Sequence, residues 1–458
     1  MQELFDIKVK KMKFYSTRDN KTLYSLREAA FMGLAPDGGL FMPEHVPQID
    51  MKQIFSLCGS SFADMAVYIM EKFFGDSLDR PQIEEAMQKA LHFEIPLRKV
   101  GIADNGMPLY TLELFHGPTC AFKDVGAGCM GQILRALQHD RKERLTILTA
   151  TSGDTGSAVA RGFYQIDGTD VVVLFPKGKV SPLQECQMTT LGKNVHAVKV
   201  NGTFDDCQRL VKEIFNNKEL RNRINVTSAN SINLLRWLPQ SLYYFYGYWQ
   251  WAKAEHPEYK GEGNAPQVIF VVPSGNYGNI SAGMLARKMG LPVKGFVAAS
   301  NANDIIPQYL KSGVYSPRPS VQTIANAMDV GNPSNYERIL NLYGNSYDAI
   351  CADTDGFSCN DDQIRAGVLE LYRKYGYISC PHSAAGYNAV KDYAERSSER
   401  EMIWLSTAHP AKFTEVIEPV IGCKVEIPQR LARLLTLKES YTEMEPDSKN
   451  LEKFLTSL

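Results

Sequence analysis

From residue 99 onward the chain alternates short, predominantly apolar runs with longer amphipathic ones. The runs at 145–149, 171–175, 195–200, 268–272, 292–298 and 402–405 have the length and β-branched content of buried strands. Between them, 156–165, 204–215 and 280–288 repeat apolar residues at helical spacing. This alternation predicts an α/β architecture of parallel sheets with helices on both faces. Before residue 99 the pattern is different. The stretch FYSTRDNKTLYSLREAAFMGLAPDGGLFMPEHVPQI predicts a short strand, a helix and a turn at 35–39, and 62–74 and 82–91 predict further helices. The expected organisation is an N-terminal domain at 1–98, a region at 99–428 made of two α/β subdomains enclosing a cleft, and a C-terminal tail at 429–458. The first unit carries no chemistry of its own and reads as a structural cap. The tail is charged and polar, and its sequence is compatible with a last helix or a frayed end.

Composition narrows the partners. The chain has 458 residues, 50 basic against 51 acidic, and a formal net charge of −1. No block of like charge points to nucleic acid or an anionic membrane, and the apolar runs are too short to span a bilayer. Residues 1–12 mix charges without the apolar stretch of a signal peptide. Nine cysteines, an odd number spread from Cys58 to Cys423, do not make a disulfide framework. With no CxxC or HExxH pattern and eight dispersed histidines, no metal-ligand spacing is present. The expected location is the cytoplasm.

The chemistry concentrates where strands end. In parallel α/β sheets, ligands bind beyond the C-terminal ends of the strands. There the sequence places three loops of small hydrogen-bonding residues: Ala150-Thr-Ser-Gly-Asp-Thr-Gly, Pro273-Ser-Gly-Asn-Tyr-Gly-Asn and Ser406-Thr-Ala-His-Pro-Ala-Lys. Together they would ring a pocket. In SGNYGN, successive N–H groups at a helix start can converge on a phosphate, although a plain strand-to-helix turn has the same residues. In TSGDTG, Ser152 and Thr155 can donate to a carboxylate. Asp154 can face a hydroxyl or a protonated nitrogen, or Asp154 or Thr155 can simply cap the next helix. Lys123, in FHGPTCAFKDVGAGCMGQIL, stands at the mouth of a helical run. A helix N-terminus and partial burial both push an ammonium toward the neutral, nucleophilic form.

Other signals are weaker. Gly126-Ala-Gly-Cys-Met-Gly131 matches G-x-G-x-x-G, with Asp154 at a distance suited to a ribose-binding acid. No strand leads into it, however, so a dinucleotide fingerprint does not fit. SANSIN through Arg236, and FPKGKVSP with Lys177 and Lys179, could supply a second cationic patch for an anionic substrate. His382 and His409 read as structural histidines.

Taken in order, HGPTCAFKDVG, TATSGDTGSA, FPKGKVSPLQ, SANSIN, VPSGNYGN, NAMDVGNPSN and STAHPAKF resemble the threonine synthase family, in its bacterial and fungal branch. GLAPDGGLFMPE is similar to that family's N-terminal domain, and the resemblance runs from about Met12 to Phe413. It implies pyridoxal phosphate fold type II, the tryptophan-synthase-β fold, with pyridoxal 5'-phosphate as cofactor. It also implies conversion of O-phospho-L-homoserine and water to L-threonine and phosphate, by γ-elimination and β-hydration. Lys123 would carry the cofactor and act as base. Gly275, Asn276, Tyr277, Gly278 and Asn279 would cradle its phosphate, and Thr407 would face the pyridine nitrogen. Asp154 would lie at the cofactor, where related enzymes often have asparagine. Ser152 and Thr155 would take the substrate carboxylate, and Arg236 and Asn230, backed by Lys177 or Lys179, its phosphate. A monomer or homodimer is expected. Two alternatives remain: a phospho-lyase releasing 2-oxobutyrate and ammonia from the same substrate, and a non-catalytic nucleotide- or phosphate-binding regulatory module, which would have no need of Lys123.

Overall fold

The computed structural model describes residues 11–59, 61–138 and 143–458. The start of the N-terminal segment, residues 1–10, lies outside the described residues. The chain opens with a small antiparallel sheet of β1 (Phe14–Ser16), β2 (Asp19–Tyr24) and β3 (Phe41–Pro43), with β1 in the middle. Helices Leu26–Met32, Met51–Cys58, Phe62–Phe74 and Arg80–Ala90 complete this unit. The first and last of these start at capping boxes, Ser25 with Glu28 and Asp79 with Gln82, which satisfy N–H groups the helix leaves orphaned.

The chain then passes back and forth between two larger sheets. It lays down β4 (Leu97–Ile102) and β5 (Pro108–Glu113) in the first. It builds the second from β6 (Leu145–Ala150), β7 (Thr169–Pro176), β8 (Val195–Val200) and β9 (Val226–Ser228). It returns to the first with β10 (Val268–Pro273), β11 (Val293–Ser300), β12 (Thr354–Ser358) and β13 (Met402–Ser406), and crosses again to give the second sheet β14 (Thr442–Met444). The first sheet has the order β12-β11-β10-β13-β5-β4, parallel except for the hairpin partner β4. The second, β14-β8-β7-β6-β9, is parallel throughout. Every residue of β6, β7 and β10 is buried. Helices cover both faces, so these strands are predominantly apolar on both sides rather than alternating with solvent-facing positions.

Each of the six expected strands forms, within one or two residues of its expected bounds. The tail does not stand apart. β14 pairs in parallel with β8, Thr442 opposite Val198 and Met444 opposite Val200, and helix Ser448–Leu455 buries Leu451 and Leu455 in the core of the second sheet.

Two features of the core position the cleft. Helix Leu242–Glu255 buries Tyr243, Tyr244, Phe245, Tyr248 and Trp251, and Tyr244 donates its hydroxyl to the Asn279 carbonyl at 2.9 Å. Helix Lys123–Gln138 packs against helix Asp154–Gly162 at backbone distance. A Cβ on Gly131 would lie 2.3 Å from the Gly162 oxygen, and one on Gly162 would lie 2.7 Å from the Ala127 oxygen. Gly126 is held against the Arg236 carbonyl in the same way, at 2.6 Å. The G-x-G-x-x-G stretch is therefore a helix-packing face, and its glycines lie inside helix Lys123–Gln138.

Candidate active site

The ends of β6, β10 and β13 converge on one cleft of about 1120 Å³. Its walls include Lys123, Ser152, Asp154, Thr155, Asn230, Arg236, the whole stretch from Gly275 to Asn279, and Thr407. The topology accounts for this grouping: β10 and β13 are neighbours in the first sheet, and β6 and β9 are neighbours in the second. Their C-terminal loops therefore face each other across the gap between sheets.

The loop after β10 is shaped to present backbone. Among the described residues, the N–H groups from Gly275 to Asn279 donate to no protein acceptor. The side chains of this loop are used elsewhere. Asn276 donates to Ser231 Oγ at 2.8 Å and accepts the Ser334 N–H at 2.6 Å. Asn279 donates to the Pro273 carbonyl at 2.7 Å, and the buried Tyr277 hydroxyl bonds Ser300 Oγ at 2.8 Å. Tyr277 takes the left-handed conformation, φ 59°, an unusual choice for a bulky residue, and so turns the chain into the helix that starts at Gly278. Gly275 is pressed against Met328 and Ala327, where a Cβ would lie 2.7 Å from the Met328 Cα. A row of free N–H groups at a helix N-terminus is an anion site.

Behind this loop, Asn335 Nδ2 bonds the Asn276 carbonyl at 3.0 Å and Ser231 Oγ at 3.1 Å. Arg338, fully buried over the Trp237 ring at 4.4 Å, donates to the carbonyls of Ser231 and Ile232 at 2.8 Å each and to Asn335 Oδ1 at 2.5 Å. SANSIN and NAMDVGNPSN are thereby locked onto SGNYGN. Nothing local in the sequence marks Asn335 or Arg338 as part of the site. Their roles depend on partners more than 50 residues away.

Lys123 is the first residue of its helix and is partly accessible from the cleft. Burial pushes its ammonium down to about 8; Asp154 opposes the fall, while Arg236 and Lys412 add to it. Asp154 does not cap its helix. Gly153 is the N-cap, at φ 137°, and no side chain caps there. A Cβ at Gly153 would also run into the Gln184 amide at 2.5 Å. Thr151 Oγ1 instead organises the turn by accepting the N–H groups of Gly153 and Gly156, at 2.9 and 2.8 Å. Asp154 Oδ1 meets Lys412 Nζ at 2.6 Å and Gln184 Nε2 at 2.8 Å. Burial would raise this carboxyl, but the charges of Lys412 and Lys123 outweigh burial and hold it well below the usual carboxylate range.

Arg236 is 3% exposed and donates to the Ala229 carbonyl at 2.6 Å. Among the described residues it forms no ion pair, and its buried Nε has no acceptor. Burial lowers its guanidinium to about 10 against the attraction of Asp124. Asn230 Oδ1 accepts the Thr149 hydroxyl. Ser152, Thr155 and Thr407 turn no hydroxyl to a protein partner among the described residues. The Thr407 backbone is fixed by Ser383 Oγ at 3.0 Å and by the Phe122 N–H at 2.8 Å.

Two expected cations are not brought to the cleft. Lys177 pairs with Glu443 of β14 at 2.8 Å, and Lys179 is exposed; neither lines the pocket. The strand that joins the sheet edge beside them supplies Lys177 with a counter-charge. Arg18 and Arg318 do reach the cleft, each paired with an acid, Glu337 and Asp304 respectively. His382, read as a structural histidine, lines the cleft as well. Its Nε2 accepts the Ala327 N–H at 3.1 Å, and burial pushes it down to about 4. His409 caps the 3₁₀ turn Pro410–Phe413 and does not line the cleft.

Comparison with known proteins agrees with this geometry. Three family models match in sequence order: threonine synthase N terminus over residues 13–91, pyridoxal-phosphate dependent enzyme over 92–405, and threonine synthase C-terminal over 383–455. The threonine synthase of Haemophilus influenzae is 41% identical over 97% of this chain and 99% of its own length. The solved structure of a PLP-bound threonine synthase from Brucella melitensis has a TM-score of 0.88 at 34% identity, covering 97% of this chain and 99% of that one. The Escherichia coli threonine synthase structure has a TM-score of 0.85 at 37% identity, with the same coverage. With its cofactor-type cleft and all three regions matched, the chain belongs to the threonine synthase family of pyridoxal-phosphate-dependent enzymes.

Proposed function

We propose that this chain converts O-phospho-L-homoserine and water to L-threonine and phosphate, with Lys123 as both cofactor anchor and base. The observation that carries the reading is the grouping in one cleft of a depressed amine, a row of free N–H groups and an unpaired guanidinium. The residues fit pyridoxal 5'-phosphate: Lys123 Nζ would take its aldehyde, the N–H groups from Gly275 to Asn279 its phosphate, and the Thr407 hydroxyl its pyridine nitrogen. Bound there, pyridoxal phosphate supplies an electron sink that acidifies the Cα–H of an amino acid.

The chain's own residues do the rest. Nζ of Lys123, released when the substrate amine takes its place, accepts the proton from Cα; an amine near neutrality suits that task. Ser152 and Thr155 hydroxyls hold the substrate carboxylate. Arg236, with Asn230 beside it, holds the phosphate that leaves Cγ through its charged guanidinium. A second anion site separate from the SGNYGN cradle is required by a phosphorylated substrate on a phosphorylated cofactor. Loss of a second proton, from Cβ, lets the phosphate leave. A proton delivered to Cγ makes the methyl group, and water then adds its hydroxyl at Cβ while a proton returns to Cα to give threonine. No helix among the described residues is long and apolar enough to cross a membrane, and we infer a cytoplasmic enzyme acting as a monomer or homodimer.

The test is incubation of the purified, visibly absorbing protein with O-phosphohomoserine and analysis of products. Threonine and phosphate in equal amounts are expected, and both vanish in Lys123→Ala. Release of 2-oxobutyrate with ammonia instead would make the protein a phospho-lyase, and threonine formation by Lys123→Ala would remove Lys123 as base.

A further inference from the structure

Lys412 lies in the 3₁₀ turn Pro410–Phe413 after β13, and its side chain is fully buried. A buried ammonium needs partners, and Lys412 takes them from two other segments. Its Nζ donates to the Thr119 carbonyl, in the loop that leads to Lys123, at 2.9 Å. It also meets Asp154 Oδ1, at the end of β6 in the other sheet, at 2.6 Å. Lys412 therefore ties together the Lys123 loop, the TSGDTG loop and the end of β13. It does not line the cleft, whereas Asp154 does. Among the described residues, only Oδ1 of Asp154 has hydrogen-bond or ion-pair partners, so Lys412 and Gln184 hold the carboxylate from its Oδ1 side.

We propose that Lys412 is a positioning residue: it fixes the Asp154 carboxylate in the cleft wall and takes up its charge, leaving the neighbouring Lys123 free to react. The inference rests on Lys123 being the amine that takes the cofactor aldehyde. Left without Lys412, Asp154 would turn its charge on Lys123 and hold it as an ammonium. The other groups that face Lys123 do not substitute for Lys412. Arg236, packed against the Lys123 helix at Gly126, has its own attraction to Asp124, and His382 is kept uncharged by burial. Asp124, on the helix that starts at Lys123, is bound by the Thr119 N–H at 2.8 Å and by the Thr119 hydroxyl at 2.5 Å.

The experiment strips the cofactor from the full chain and measures the pH dependence of labelling by pyridoxal phosphate. Borohydride traps the adduct, and peptide mass spectrometry assigns it to Lys123. In Lys412→Met the midpoint should rise by about one pH unit or more, a roughly tenfold slower reaction at a fixed pH below it. Lys412→Arg, which keeps the charge, should return the midpoint toward the parent value. Asp154→Asn should move it the opposite way, because Lys123 then faces Lys412 without the intervening carboxylate. An unmoved midpoint in a folded Lys412→Met overturns the proposal. If circular dichroism shows that variant unfolded, an unmoved or raised midpoint in Asp154→Asn overturns it. Absence of any label at Lys123 in the parent chain removes the underlying assignment of the cofactor lysine, a different and distinguishable failure.

Discussion

Replacement of Arg338 by methionine isolates what the buried guanidinium contributes. Its forked donors satisfy the carbonyls of Ser231 and Ile232 and the Asn335 amide oxygen, with the Phe41 carbonyl at 3.5 Å as a weaker fourth. Methionine fills much of the volume over Trp237 but leaves three acceptors without a donor. An acceptor stranded in this way costs about 1–3 kcal/mol. Against that loss stands the relief of no longer desolvating a guanidinium, which burial already strains down to about 9. The net expectation is a loss of about 3 kcal/mol, a fall of roughly 1 M in the urea midpoint at a slope of about 3 kcal/mol/M. The same substitution frees Ser231 and Asn335, which brace Asn276, so the affinity of the cofactor-free protein for pyridoxal phosphate should drop roughly tenfold, about 1.4 kcal/mol. Urea unfolding followed by tryptophan fluorescence, together with a cofactor titration, reads both. A variant within about 0.5 kcal/mol of the parent would mean that desolvation offsets the three bonds, and the bracing argument would fail.

Gly131→Ala places a Cβ against the Gly162 backbone oxygen, which cannot swing aside as a side chain can; a loss of about 2–3 kcal/mol is expected in thermal unfolding. Parent-like stability would show that the two helices separate freely. Arg236→Gln should raise KM for O-phosphohomoserine about tenfold or more and change kcat less, since a binding contact is removed; an unchanged KM takes Arg236 out of the site. Asp329, raised by burial to about 6 against the hydrogen bonds of Thr323 and Asn301, binds its proton more readily folded than unfolded. Its contribution to stability therefore falls as pH rises from about 4 to about 6 and is level above that. Asp329→Asn should flatten that part of the stability–pH curve, and an identical slope in parent and variant would refute the assignment.

The sequence resolved what local pattern determines. β6, β7 and β10 are legible because strands buried on both faces need predominantly apolar runs, and small-residue loops mark their ends. The three loops lining the cleft were found for the same reason. Elements whose identity comes from a partner were harder. β9 and β14 have three residues each, and only pairing with β6 and β8 makes them strands. Lys412 lies inside STAHPAKF, whose small residues mark a loop but not the lysine's partner. The available signal was a lysine set between Ala411 and Phe413 together with an acid in TSGDTG that required a counter-charge. Lys177 and Lys179 illustrate the opposite case, because a lysine at a strand end is informative only once its neighbours are known.

The order of strands along the chain also governs how the molecule comes into being. β13 sits between β10 and β5, so the first sheet has a gap at its centre until some 300 residues after β5 have been made. β8 is the border of the second sheet until β14 arrives, and its unpaired amides and carbonyls are a template for any extended segment nearby. On the ribosome both halves of the molecule must therefore wait half-built, with apolar faces and an open border exposed. For this topology, keeping the nascent chain away from its own copies is as much a condition of producing active enzyme as the chemistry of the cleft.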